Sequence, residues 1–160
     1  MVLHSILASP PETNITPVMT EPALPIYQLI EELEQIVAQQ EITLLSAEPG
    51  AGKTTQVPVY LQKSPLFANK KIIMTAPRRV AAQSAASYMA QQLGETVGET
   101  IGYRVKGESR CSGKTRVELV TTGVLLRMLQ SDPMLSDVAL IILDEFHERT
   151  LESDLILALC

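Results

Sequence analysis

The sequence lacks the features of exported and membrane-embedded proteins. Its 160 residues contain no tryptophan and two cysteines, Cys111 and Cys160. Two cysteines are too few for a disulfide framework, so a reducing compartment is indicated. The first residues lack the basic segment of a secretory signal, and no apolar run approaches the ~20 residues of a membrane-spanning helix. These absences predict a cytoplasmic protein that has no membrane partner.

Basic residues are missing from the beginning of the chain and concentrated in its middle. Residues 1–52 contain no lysine or arginine and carry a net charge of −7, residues 53–127 carry +8, and residues 128–160 carry −6. The total of −5 argues against a nucleic-acid partner. The basic block nevertheless provides the local positive charge that binding to phosphates requires.

Apolar runs and helical patterns alternate along most of the chain. Five of the ten prolines lie in residues 1–25, and we predict an extended, disordered arm over residues 1–23. Residues 24–160 are predicted to form one domain. Strands are predicted at 42–47, 71–76, 100–106, 116–121 and 138–143, and helices at 26–37, 53–62, 82–93, 122–130 and 151–159. This alternation predicts an α/β fold with a mostly parallel sheet and helices on both faces.

A glycine-rich loop with the sequence Ala-Glu-Pro-Gly-Ala-Gly-Lys-Thr spans residues 47–54, between a predicted strand and a predicted helix. Glycines allow backbone N–H groups to turn toward phosphate oxygens, and the helix N-terminus adds positive potential. Lys53 would reach the β- and γ-phosphates of a nucleotide, and the Thr54 hydroxyl would bind Mg²⁺. The alternative is an ordinary glycine-rich turn. The predicted nucleotide-binding residues are Ala47, Glu48, Pro49, Gly50, Ala51, Gly52, Lys53, Thr54 and Thr55.

A second Gly-Lys-Thr occurs at residues 113–115. The preceding residues lack the loop glycines, and a predicted strand follows where a helix is needed. We therefore predict an ordinary turn at this position.

Two carboxylates follow the apolar strand at 138–143, within the run Asp-Glu-Phe-His at 144–147. Ligands of open α/β sheets bind beyond the carboxyl ends of the strands. Asp144 is placed there to hold Mg²⁺ through water, and Glu145 to polarise an attacking water. Thr54, Asp144 and Glu145 are the predicted metal-binding residues. The alternative is a helix start rich in acids, and a zinc site at His147 lacks a suitably spaced second His or Cys.

Four segments resemble, in the same order, motifs I, Ia, Ib and II of the DEAH-box superfamily 2 helicases. They are residues 47–54, 76–82, 121–127 and 144–149. Residues 102–109 and Phe146 resemble the bacterial HrpB-type branch of that family most closely. The resemblance implies that residues 24–160 are the first RecA-like P-loop NTPase domain of an ATP-dependent RNA helicase, incomplete at the C-terminal end. It also implies ATP and Mg²⁺ as cofactors.

The resemblance also implies roles for individual residues. Arg78, Arg79, Thr121 and Gly123 would contact the backbone of single-stranded RNA, with DNA as the alternative. His147 would couple the nucleotide site to neighbouring motifs and join Lys53, Asp144 and Glu145 as a catalytic residue. Tyr88 stands where relatives carry an arginine near the nucleotide base, and it would either stack on the base or pack.

In the family, a second RecA-like domain supplies an arginine finger and the other half of the nucleic-acid channel. We therefore expect weak or undetectable ATP hydrolysis and no unwinding from these 160 residues alone. Two other interpretations stay open. One is a P-loop enzyme of another class, such as a small-molecule kinase, and the other is a truncated product without function.

Overall fold

The computed structural model describes residues 2–4, 27–46, 48, 50–146 and 150–159, in which seven strands alternate with five α-helices. The strands are β1 (Val2–His4), β2 (Ile42–Leu44), β3 (Lys71–Ala76), β4 (Ile101–Val105), β5 (Glu108–Arg110), β6 (Val117–Thr121) and β7 (Val138–Leu143). The helices are α1 (Tyr27–Gln39), α2 (Lys53–Leu61), α3 (Arg79–Gln92), α4 (Thr122–Ser131) and α5 (Leu151–Leu159), with a 3-10 turn at Pro65–Phe67. None of the helices described is long and apolar enough to cross a membrane.

Each strand and helix predicted from the sequence is present, within a few residues of its predicted bounds. Two strands, β1 and β5, were not predicted, because each has three residues and is shorter than the patterns that indicate a strand. Apart from β1 (residues 2–4), the predicted arm at 1–23 lies outside the described residues, and its disorder stays a prediction.

The strands form a single sheet in the order β2-β1-β7-β3-β6-β4-β5. Every neighbouring pair is parallel except β4 and β5, which form an antiparallel hairpin at one edge. The predicted α/β fold with a mostly parallel sheet is thereby confirmed. Because the strands are parallel, the loops that follow β2, β7, β3 and β6 emerge at the same edge of the sheet, which we call the carboxyl edge.

Helices cover both faces of the sheet, so the central strands carry buried apolar residues on both faces. Residues Ile72 and Met74 of β3 face the core that α1, α2 and α3 close, whereas Ile73 faces the smaller core under α4 and α5. All three side chains are almost completely buried. This two-sided burial explains why the strands have no alternation of polar and apolar residues.

A buried carboxylate lies in the β4–β6 part of the sheet. The Glu118 carboxylate is 1% exposed, and Arg104 Nε lies 2.7 Å from its Oε1 atom, an ion pair whose geometry is too bent for a regular hydrogen bond. Lys71 Nζ lies 3.9 Å from the other carboxylate oxygen.

At Gly102, an added Cβ would approach the Arg110 carbonyl oxygen to 2.5 Å, so the hairpin requires glycine there.

The second Gly-Lys-Thr forms a turn, as predicted. The Thr115 N–H donates to the Ser112 carbonyl at 3.1 Å, and β6 follows directly rather than a helix. No helix N-terminus is therefore available next to Lys114, so this segment lacks the helix start that follows the glycine-rich loop after β2.

Candidate active site

The loop after β2 turns through two glycines in left-handed conformations. Gly50 has a φ of 80° and Gly52 a φ of 94°, a region that residues with a Cβ rarely adopt. The Gly52 carbonyl accepts the N–H groups of Thr55 at 3.2 Å and Gln56 at 2.7 Å, and these bonds start α2. The first N–H groups of a helix have no partner within it, so they are available to an anion at this end.

Lys53 and Thr54 are the first two residues of α2. Lys53 Nζ donates to the Glu48 carbonyl oxygen at 3.3 Å, so the side chain folds back along the loop. The Thr54 hydroxyl donates to Asp144 Oδ2 at 3.0 Å. This hydrogen bond joins the glycine-rich loop to the carboxylate that follows β7.

The two carboxylates after β7 have different environments. Burial raises the pKa of Asp144 above its ordinary value of 3.8, and the charge of Glu145 adds to this shift, while the Thr54 hydrogen bond and the Lys53 charge oppose it. Glu145 is exposed and has a φ of 52°. A left-handed backbone costs a residue other than glycine about 1–3 kcal/mol, and such strain is typical of functional sites.

A cavity of about 460 Å³ lies beside this pair. Thr54, Thr75, Arg78, Asp144 and Glu145 contribute polar groups to its wall. The cavity therefore brings Arg78, which we predicted as a nucleic-acid contact, next to the two carboxylates. Thr75 was not predicted as a site residue, because a threonine inside a buried strand gives no signal in the sequence.

The residues predicted to contact a nucleic acid lie along the same edge of the sheet. Ala76 of β3 pairs in register with Thr121 of β6, so these two strands end at the same level. Arg78 precedes α3 and Arg79 begins it, and both side chains are exposed. Neither α3 nor α4 has a side-chain cap on its first turn. Two helix N-termini and two guanidinium groups therefore give this part of the edge a positive potential.

Gly123 lies in the first turn of α4, and the space where a Cβ would be added is open. The neighbouring Thr122 hydroxyl donates to the Glu152 carboxylate of α5 at 3.0 Å. This contact holds the beginning of α5 against the beginning of α4, close to the end of β6.

Tyr88 lies on α3 with half of its surface exposed. Its hydroxyl accepts a hydrogen bond from Gln92 Nε2 at 3.3 Å, and Gln92 Oε1 accepts one from Gln56 Nε2 at 3.2 Å. This chain of polar groups connects the Tyr88 ring to the first turn of α2. The ring is not packed into the core, and its stacking on a base stays a prediction.

Three predicted site residues, Ala47, Pro49 and His147, lie outside the described residues. The other predicted residues occur in two groups at the carboxyl edge. The first group, at β2 and β7, contains Glu48, Gly50, Ala51, Gly52, Lys53, Thr54, Thr55, Asp144 and Glu145. The second group, at β3 and β6, contains Arg78, Arg79, Thr121 and Gly123.

Comparison with known proteins shows which family the chain belongs to. A sequence profile described as DEAD/DEAH box helicase matches residues 28–154. The chain belongs to this family. The resemblance to DEAH-box helicases of the HrpB type is thus confirmed, together with the RecA-like fold that it implies.

Several members of the family are closely similar. The chain is 47% identical over 137 residues to the ATP-dependent RNA helicase HrpB of Escherichia coli (strain K12), covering 86% of this chain and 17% of that protein. It is 40% identical over 138 residues to the DExH-box ATP-dependent RNA helicase DExH1 of Arabidopsis thaliana, covering 84% and 14%. A crystal structure of the E. coli DExH-box NTPase HrpB superposes with a TM-score of 0.83 at 46% identity, covering 89% of this chain and 18% of that one. The chain spans less than a fifth of the length of these relatives.

Proposed function

We propose that this chain is the ATP-binding part of an ATP-dependent RNA helicase, and that residues 24–160 form its first RecA-like domain. The hydrogen bond between Thr54 and Asp144 carries the proposal, because it brings the phosphate loop and the Asp-Glu pair into one site. The identity of 47% with a protein named as an ATP-dependent RNA helicase supports the same assignment. The cytoplasmic location stays a prediction from the sequence.

The Thr54–Asp144 contact fits a magnesium ion. A hydroxyl and a carboxylate oxygen lie 3.0 Å apart at the wall of the cavity, and both are the hard oxygen ligands that Mg²⁺ prefers. The described residues contain no cluster of three or more His, Cys, Asp or Glu side chains that could hold a metal ion. Thr54 and Asp144 would hold the ion together with phosphate oxygens and water, with Glu145 as the third predicted ligand. When bound, Mg²⁺ would neutralise charge on the phosphates.

The chain's own residues account for binding and activation. The N–H groups of the loop and of the first turn of α2 would bind the phosphate oxygens, and Lys53 would exchange the Glu48 carbonyl for the β- and γ-phosphates. The oxygen of the attacking water would bond to the γ-phosphorus while the bond between that phosphorus and the β–γ bridging oxygen breaks. Glu145 would accept the proton that the water loses. Arg78 lines the same cavity, so its guanidinium group would be within reach of a bound nucleotide as well as of a nucleic acid.

Single-stranded RNA is the proposed partner of the second group of residues, with DNA as the alternative. Phosphate groups of a strand would contact Arg78, Arg79 and the uncapped first turns of α3 and α4. A small-molecule kinase would need the phosphate loop but has no use for a positive edge beside β3 and β6. The two arginines at the start of α3 and the uncapped start of α4 therefore favour the helicase over the kinase. A second RecA-like domain would supply an arginine finger.

The decisive experiment is binding of a fluorescent ATP analogue with Mg²⁺ to the Lys53→Ala variant. A charge-assisted hydrogen bond stabilises a complex by about 1.5–3 kcal/mol, so we expect affinity to fall about ten- to hundredfold. Lys114→Ala is a matched control, because Lys114 also follows glycine and precedes threonine but lies in the turn before β6. Equal affinity of the Lys53→Ala variant and the unchanged chain would refute the proposed phosphate site.

A further inference from the structure

The start of α4 carries a carboxylate that belongs to another helix. The hydroxyl of Thr122, the first residue of α4, donates to Glu152 Oε2 at 3.0 Å, and Glu152 lies in the first turn of α5. Thr121, which precedes α4, has an extended backbone and makes no side-chain cap. Glu152 therefore places a negative charge at the positive end of the α4 dipole.

The same helix start is the proposed position of a nucleic-acid phosphate. Thr121 and Gly123, the predicted RNA contacts, stand on either side of Thr122 in the sequence. The N–H groups of a helix start and a neighbouring hydroxyl bind a carboxylate and a phosphate in the same way, because both present anionic oxygens that accept hydrogen bonds. Two anions at one helix start also repel each other. A phosphate that binds at α4 therefore competes with the Glu152 carboxylate.

The surroundings of Glu152 allow this exchange. The residue is exposed, and among the residues that the structure describes no lysine or arginine forms a salt bridge with it. Water can replace the Thr122 hydroxyl as a donor to an exposed carboxylate, so opening the contact costs little net free energy. Glu152 can therefore leave the start of α4 without leaving a buried charge uncompensated.

The packing of α5 limits the movement to its first turn. Ile156, in the next turn, is completely buried and lies in one apolar cluster with Leu125 and Leu129 of α4. This cluster keeps the two helices together when the Thr122–Glu152 contact opens. The first turn of α5 is also the part of that helix nearest in sequence to Glu145. Displacement of Glu152 is therefore a movement between the RNA edge and the Asp-Glu pair.

We propose that Glu152 is an internal competitor of the nucleic acid: its carboxylate occupies the start of α4, and a phosphate of single-stranded RNA must displace it from Thr122. The inference rests on the proposed function, because it concerns the same edge of the sheet. Glu152 thereby lowers the affinity for the strand without contacting it, and the first turn of α5 is released when RNA binds.

The first test measures binding of a labelled single-stranded RNA to the Glu152→Gln variant of the full chain by fluorescence anisotropy. Glutamine keeps the size of the side chain and removes its charge. We expect the affinity to rise about two- to fivefold at low salt, as for other exposed charge pairs, and the gain to shrink as salt screens the charge. Asp137→Asn is the matched control, because Asp137 is an exposed acid that precedes β7 at the opposite edge. It should leave the RNA affinity unchanged.

Amide hydrogen exchange tests the displacement itself. The N–H groups of Ser153 and Asp154 donate to the hydroxyl and the carbonyl of Thr150 at 3.1 Å, so the first turn of α5 has protected amides. We expect RNA to increase exchange at these two amides in the unchanged chain, while Ile156 stays protected. Glu152→Ala, which cannot bond to Thr122, should show the faster exchange without RNA.

Two results would overturn the inference. One is an RNA affinity of Glu152→Gln that equals or falls below that of the unchanged chain. The other is slower or unchanged exchange in the first turn of α5 when RNA binds, which would make Glu152 a support of the RNA edge instead of a competitor.

The variant with both Arg78 and Arg79 changed to Gln judges the proposed function separately. If the unchanged chain binds RNA through these arginines while Glu152→Gln behaves like the unchanged chain, only the inference fails. If neither the unchanged chain nor Glu152→Gln binds RNA, the inference and the proposed RNA partner fail together.

Discussion

Asp144 is subject to two opposing influences, and their balance predicts how stability depends on pH. Burial raises the pKa of this carboxyl group, although the Thr54 hydrogen bond lowers it. The folded chain therefore keeps a proton on Asp144 at pH values just above 3.8, where the unfolded chain has lost it. Since the folded state then binds more protons, its stability is highest below that window and falls as the pH rises through the pKa of the folded state.

We expect the Asp144→Asn variant to lose this part of the pH dependence. Urea unfolding in EDTA, measured at a series of pH values from acidic to neutral, gives the difference in unfolding free energy between the variant and the unchanged chain. That difference should shift in favour of Asp144→Asn as the pH rises. Asp137→Asn is the control, because Asp137 is exposed. A pH-independent difference for Asp144→Asn would contradict the prediction.

The ion pair between Arg104 of β4 and Glu118 of β6 gives a second prediction for single residues. Glu118 is 1% exposed, whereas the side chain of Arg104 is 43% exposed. Removing the cation leaves a buried charge uncompensated, and we expect Arg104→Ala to lower the free energy of unfolding by about 3 kcal/mol. Lys71 lies 3.9 Å away and compensates part of the charge, so a larger loss is not expected.

The double variant Arg104→Ala with Glu118→Gln separates charge from packing. If the loss comes from the buried charge, the neutral glutamine should recover most of it in the same urea titration. A double variant that is as unstable as Arg104→Ala alone would indicate that the packing of Arg104, and not its charge, stabilises the sheet.

At the scale of elements, the helix starts beside β3 and β6 predict how a nucleic acid binds. For single strands the logarithm of the binding constant falls with the logarithm of salt concentration by about 0.7 per phosphate contact. Changing both Arg78 and Arg79 to Gln should weaken binding of a single-stranded RNA and reduce the salt slope by about 1.4. Fluorescence anisotropy with a labelled oligonucleotide at several salt concentrations measures both effects.

The control for this prediction removes the same charge elsewhere. Lys63 lies beyond the end of α2, and Lys70 directly precedes β3, so both are at the opposite edge of the sheet. Changing these two lysines to Gln should leave the salt slope unchanged. An equal effect of the two double variants would indicate that RNA responds to the overall charge of the chain rather than to the carboxyl edge.

The sequence predicts the elements of the central sheet well because their side chains are buried on both faces. Strands such as β3 and β7 are continuous apolar runs, and α1 has a clear amphipathic pattern. The proximity of Lys53, Thr54 and Asp144 could also be predicted, because motif spacing and the parallel sheet place these residues at one edge. By contrast, β1 has three residues and pairs through its backbone, so its position depends on neighbours that are distant in the sequence.

The site details that were not predicted also depend on packing and turn geometry, which the sequence pattern does not indicate. The approach of Arg78 to the cavity and the chain from Tyr88 through Gln92 to Gln56 depend on how α2 and α3 pack. The left-handed backbone of Glu145 follows from the turn after β7, and the residue type alone gives no sign of it.

For the whole molecule, we predict that a polypeptide of these 160 residues binds ATP but turns it over slowly. An arginine finger supplied from outside accelerates related phosphoryl transfers by about 10³–10⁵-fold. We expect phosphate release close to the background rate, little stimulation by RNA, and no strand separation in a duplex-unwinding assay. Robust RNA-stimulated hydrolysis by the purified chain would contradict this prediction and would mean that the carboxyl edge is sufficient for catalysis.

The two edge strands of the sheet differ in how readily each could pair with a strand of another chain in a concentrated solution. The hairpin end finishes in β5, which is short and displays Glu108 and Arg110, and charged edges of this kind discourage pairing with another chain. The other end finishes in β2, where Ile42 is 59% exposed and Leu44 is 45% exposed. Association through main-chain pairing is thus directed to the strand that presents the phosphate loop. A second chain that paired there would lie against the strand that leads into the glycine-rich loop.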